Sequence, residues 1–81
     1  MDILSGPSLE YTSIAEAVAA YVAVGYRTEA NDPATRSRIM VAPDRYRAVR
    51  IRQAGVLCVQ CEPGRMMAET EPGRYRFRPW G

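Results

Sequence analysis

Apolar positions between residues 14 and 22 recur at helical spacing: Ile14, Ala17, Val18, Tyr21 and Val22 fall on one stripe. Alanine fills much of the remainder and favours helix. Ahead of the stripe, Ser13-Ile14-Ala15-Glu16 is a capping-box pattern, in which the Ser13 hydroxyl accepts from the Glu16 amide while Glu16 reaches back. Gly25 stands where a left-handed residue ends such a helix. These signals predict one helix over about residues 13–24. After Gly25 the period switches from helical to alternating. Tyr26, Thr28 and Ala30 alternate with Arg27 and Glu29, giving a short first strand that Asn31-Asp32-Pro33 breaks. Ser37 to Ala42 reads as a second strand and Pro43-Asp44 as a turn.

The stretch from Arg45 to Cys61 organises the rest. Two runs rich in β-branched, aromatic and apolar residues flank Gln53-Ala54-Gly55, the pattern of an antiparallel hairpin. Beyond it, Glu62-Pro63-Gly64-Arg65 recurs as Glu71-Pro72-Gly73-Arg74. Proline presets φ and glycine accepts positive φ, so each copy is expected to be a type II turn. The two turns would bracket a short strand at Met66-Met67-Ala68-Glu69-Thr70, with Tyr75-Arg76-Phe77-Arg78 as the last strand. On that strand Tyr75 and Phe77 share one face, while Arg74, Arg76 and Arg78 share the other. The expected fold is α+β: one N-terminal helix packed on a five- or six-stranded, mostly antiparallel meander. Residues 1–11, interrupted by Gly6-Pro7-Ser8, read as an arm, and residues 12–81 as one small domain.

Composition narrows the function classes. The apolar share of 47% is ordinary for a globular protein, and no apolar run approaches the roughly 20 residues that span a bilayer. The opening Met-Asp-Ile-Leu lacks the basic-then-apolar pattern of a signal peptide, so a cytoplasmic location is expected. All 11 cations are arginine, and there is no histidine. Codon bias accounts for an arginine-only chain; selection for planar, bidentate donors to phosphate or carboxylate does so too. Net charge is +2 but uneven. Residues 1–35 carry five acids against Arg27, a net of −4, while residues 36–81 carry ten arginines against four acids, a net of +6.

Without histidine there is no imidazole base and no Ser-His or Cys-His pair, and no Gly-rich phosphate loop is present, so an enzyme is not expected. No cofactor is implied. Cys58-Val59-Gln60-Cys61 matches C-x-x-C but supplies two of the four ligands a structural zinc needs. A metal role for Cys58 and Cys61 therefore requires carboxylate ligands or a dimer that pools four cysteines. Positions three apart on a strand face opposite sides, so the plainer reading is two structural cysteines, with Cys58 in the packing and Cys61 near the Pro63-Gly64 turn.

The arginines are the better lead. Arg45 and Arg47 alternate with Tyr46 and Ala48, whereas Arg50 and Arg52 alternate with Val49 and Ile51, so the parity switches between Ala48 and Val49. Either a β-bulge lies there and aligns all four, or the two pairs face opposite sides of the strand. With a bulge, Arg45, Arg47, Arg50 and Arg52 join Arg74, Arg76 and Arg78 on one cationic sheet face, with Tyr46 and Trp80 as candidate stacking residues. The structural alternative is a solvated face whose charges suppress strand-to-strand aggregation. The expected function is a small, non-enzymatic binding protein acting stoichiometrically on a protein or protein–nucleic-acid complex, as monomer or homodimer. Direct nucleic-acid binding by the same face and a zinc-bridged dimer are the alternatives. The profile is similar to that of phage and mobile-element inhibitors of host defence, anti-CRISPR proteins among them, although no motif carries that likeness.

Overall fold

The computed structural model describes residues 7–32, 34–68 and 75–80. One N-terminal helix packs on a six-stranded antiparallel sheet: β1 (Glu10–Tyr11), α1 (Ile14–Val22), β2 (Arg27–Asp32), β3 (Ser37–Val41), β4 (Arg47–Gly55), β5 (Cys58–Ala68) and β6 (Tyr75–Pro79). The strand order is β1-β5-β4-β3-β2, and β6 also pairs with β5. Among the described residues no helix is long and apolar enough to cross a membrane.

Both helix ends follow from side-chain and backbone donors that need partners. The Glu16 N–H donates to Ser13 Oγ at 3.1 Å, while Glu16 Oε1 accepts from the Thr12 N–H at 3.2 Å, one residue earlier than the expected box. At the other end the Gly25 N–H donates to the Val22 carbonyl at 2.9 Å and the Tyr26 N–H to the Tyr21 carbonyl at 3.0 Å, a Schellman pattern. Gly25 has φ 97°, and a Cβ there would meet Pro43 Cγ at 2.9 Å. Ala17 and Tyr21 are buried and Ile14 and Val18 half-buried, as the stripe implies, but Val22 at its end is exposed.

The sheet buries both of its faces around β4. On the helix side, Ala17 and Tyr21 close over Met40, Val49, Ile51, Val59 and Cys61. On the opposite side, Val41, Ala48 and Met66 form a smaller core against Ile39 and Phe77. Adjacent residues Ala48 and Val49 are therefore both buried, facing opposite ways. The β4–β5 register runs one to one from Arg47↔Arg65 to Gln53↔Val59 and shifts only between Gln53 and Gly55. The parity switch at Ala48 and Val49 is a two-sided core, not a bulge.

The first Glu-Pro-Gly-Arg copy is not a turn. Residues 62–65 lie inside β5, and the expected short strand at 66–70 is its continuation as far as Ala68. The second copy, at 71–74, lies outside the described residues. Pro63 is tolerated because β5 changes partner on its outer edge at this point: β1 pairs with Val59 and Gln60, and β6 with Gly64 to Ala68. A strand residue points its N–H and C=O the same way, and the Pro63 carbonyl accepts from the Trp80 N–H at 3.1 Å on that outer edge. The missing N–H thus falls between β1 and β6, where no ladder bond is lost.

Candidate functional site

The register decides which arginines share a face. Arg47 pairs with Arg65, and Arg65 pairs with Arg78, so three arginines stand in one row of the register across β4, β5 and β6. Directly opposed side chains in antiparallel strands have Cβ atoms about 4.5–5.5 Å apart, and like charges so placed are destabilising. The row lies on the same side of the sheet as the helix but at the end the helix does not cover.

Two aromatic rings adjoin the row. Tyr46 and Trp80 lie 6.1 Å apart between ring centroids at 53°, each 48% exposed. The Arg65 guanidinium stands 5.7 Å from the Trp80 centroid, and its Nη1 donates to the Tyr46 hydroxyl at 3.3 Å. The cluster is held from below by an Asp44 turn. Asp44 Oδ1 accepts from the Tyr46 and Arg47 N–H groups at 2.8 and 2.9 Å, and Oδ2 accepts from Arg47 Nε at 2.8 Å. Those backbone hydrogen bonds, with the Arg47 side chain, bring the Asp44 carboxyl down to about 2. Asp44 therefore stays ionised at neutral pH and orders both Tyr46 and Arg47.

The remaining sequence-derived candidates separate. Arg76 is exposed and pairs in register with Met67, on the Arg78 face. Arg45 sits in the β3–β4 turn at φ 62°, outside the strand alternation. Arg50 and Arg52 face the other side of the sheet. Arg50 donates from Nε to Glu62 Oε1 at 3.1 Å and lies 5.2 Å from the Phe77 centroid, so its charge is used within the protein. Arg52 is exposed and lines a shallow notch with Glu10, Gln60 and Glu62. Arg74 and the Tyr75 side chain lie outside the described residues. The single face of seven arginines is thus replaced by a smaller one, Arg47, Arg65, Arg78 and Arg76 with Tyr46 and Trp80.

Arg65 was not among the sequence candidates. Reading Pro63-Gly64 as a turn removed it from the strand alternation. Its signal was present nonetheless: extending β5 through the proline puts Arg65 opposite Arg47.

The cysteines are placed the other way round from the expectation. Cys61 is buried under the helix, whereas Cys58 is only half-buried. They stand on opposite faces of β5, so they cannot be two ligands of one ion within a chain. Among the described residues, no group of three or more Cys, Asp or Glu side chains is arranged to hold a metal. Burial pushes the Cys61 thiol up to about 11 and drives the neighbouring Tyr21 hydroxyl upward as well. An unfolded thiol titrates near about 8.5, so the folded state keeps its proton where the unfolded chain has lost it. The associated stability is complete below pH ~8.5 and is lost as pH rises towards the folded value of about 11. Urea unfolding at pH 7.5, 9 and 10.5 should show stability falling, with a shallower fall in Cys61→Ala. A flat profile in the wild type would contradict the burial of both groups.

Comparison with known proteins finds no family model, no curated sequence and no solved structure that matches this chain.

Proposed function

We propose that this protein is a stoichiometric, non-enzymatic binding protein that docks an anionic macromolecular surface on its Arg47–Arg65–Arg78 row. The observation that carries the reading is the register itself: three like charges are opposed across adjacent strands. Such a row costs folding stability. Asp44 offsets part of that cost at Arg47, and the Trp80 ring and Tyr46 hydroxyl offset part of it at Arg65, so the fold holds a cationic row in place. Beside the row, Tyr46 and Trp80 leave about half of each side chain in solvent, and Tyr, Trp and Arg are the residue types that dominate binding hot spots.

A charge swap tests the face. Arg47→Glu/Arg78→Glu and a control, Arg27→Glu/Arg52→Glu, change net charge equally but on different surfaces. On a heparin column the wild type and the control should be retained to similar salt concentrations, and the Arg47/Arg78 variant should elute early. Thermal melting followed by circular dichroism verifies the fold of each. Equal loss of retention in both variants would show that net charge, not this face, does the binding.

A further inference from the structure

We infer that the Arg47–Arg65–Arg78 face holds a single strand of nucleic acid, with phosphates along the arginine row and a base stacked on Trp80 and Tyr46. The inference rests on the reading above that this row is the contact surface, and adds the ligand's chemistry.

Three features select the ligand. First, the register sets the three arginines in a line across three adjacent strands, which the sheet spaces at about 4.7–4.9 Å, with the Arg47 guanidinium held on Asp44 and that of Arg65 at the Trp80 ring. A linear polyanion supplies charge at regular intervals along such a line, whereas an acidic protein must place separate carboxylates to match it. Second, the rings belong to the same cluster as the cations. Arg65 touches both, so a chain whose phosphate lies on Arg65 brings its neighbouring base to the rings. Base–aromatic stacking beside a cationic groove is how sequence-tolerant single-strand binders work, and a sheet surface is a known platform for it. Third, the Asp44 carboxylate accepts three hydrogen bonds, from the Tyr46 N–H, the Arg47 N–H and Arg47 Nε, so the backbone under the site and the Arg47 side chain are ordered before any ligand arrives. A duplex fits poorly, because its bases are already stacked and the half-exposed rings would have no free base face to meet.

Trp80 is the sole tryptophan, so the protein carries its own reporter. Its fluorescence is titrated with a dT oligonucleotide, an oligo-U strand, a DNA duplex and poly-L-glutamate, each over a range of salt. The expected result is quenching by the single strands, with affinity falling along a log–log salt slope near −2. That slope follows from three phosphates at about 0.7 counterions each. Trp80→Ala, followed by the anisotropy of a labelled strand, should weaken binding by about five- to a hundredfold. Duplex binding as tight as single-strand binding overturns the inference, because stacking is then not used. So does poly-L-glutamate binding more tightly than either strand, or strand binding indifferent to Trp80→Ala. In those cases the anionic-surface reading stands. If reversing Arg47 and Arg78 leaves heparin retention unchanged as well, that reading fails with it.

Discussion

Gly64→Ala is expected to lower the stability of the fold by about 3 kcal/mol, the upper part of the usual range for overpacking a close-packed site. In a domain of this size that corresponds to roughly 12–24 °C in Tm. A Cβ at residue 64 would lie 2.3 Å from the Arg78 carbonyl oxygen and 2.6 and 2.7 Å from two ring atoms of Phe77. The Phe77 ring is the kind of cross-strand aromatic that covers a strand glycine, and β6 approaches β5 closely because the glycine leaves room. Phe77→Ala in the Gly64→Ala background should not restore the loss, because the ring also packs on the second core. The second substitution removes the ring contacts but leaves the backbone carbonyl in place. Because β6 also brings Arg78 and Trp80 to the site, the Trp80 emission of Gly64→Ala should shift red at lower urea than the circular-dichroism transition. A Gly64→Ala protein as stable as the wild type would return residues 62–65 to a turn in which this glycine has space.

The same glycine shows where the sequence could be read and where it misled. The helix was legible because its stop and start signals are local: Ser13, Glu16 and Gly25 satisfy backbone groups within a few residues. The helix-on-antiparallel-sheet architecture was legible because the period changes once, after Gly25. Pro-Gly at 63–64 satisfied the chemistry of a type II turn equally well. What makes it strand instead is non-local: the outer edge of β5 passes from β1 to β6 there, so proline's missing donor is harmless and glycine's missing side chain is needed. A short-range rule cannot see which strand lies alongside. The Ala48-Val49 ambiguity has a related cause. Alternation reports a face only when one side of a strand is wet, and β4 is covered on both. Two dry faces and a bulge produce the same pattern of letters. The candidate face depended on both points: all seven arginines share it only with a bulge, and the register instead sets Arg47, Arg65 and Arg78 in one row with Arg50 and Arg52 on the other face.

Arg78→Glu should move stability and binding in opposite directions. In the wild type Arg78 opposes Arg65 directly across β5 and β6. Glutamate at that position exchanges a like-charge pair for an opposite-charge pair on an exposed sheet surface. Such pairs contribute little individually, so Tm should be unchanged or rise by up to about 4 °C. Binding of a single strand should meanwhile fall more than tenfold, because one phosphate contact is lost and a repulsive charge faces the next. The salt slope should become shallower by about 0.7 for the lost contact. A residue kept for folding cannot behave this way, since its reversal would lower Tm first. The informative control is Arg50→Glu on the opposite face, where the guanidinium is paired with Glu62 and packed near Phe77. There two carboxylates would be left facing each other, and stability should drop while any remaining folded protein still binds. If instead Arg78→Glu lowers Tm by more than about 5 °C, the arginine row belongs to the structure of the β6 edge, and the contact surface must be sought elsewhere.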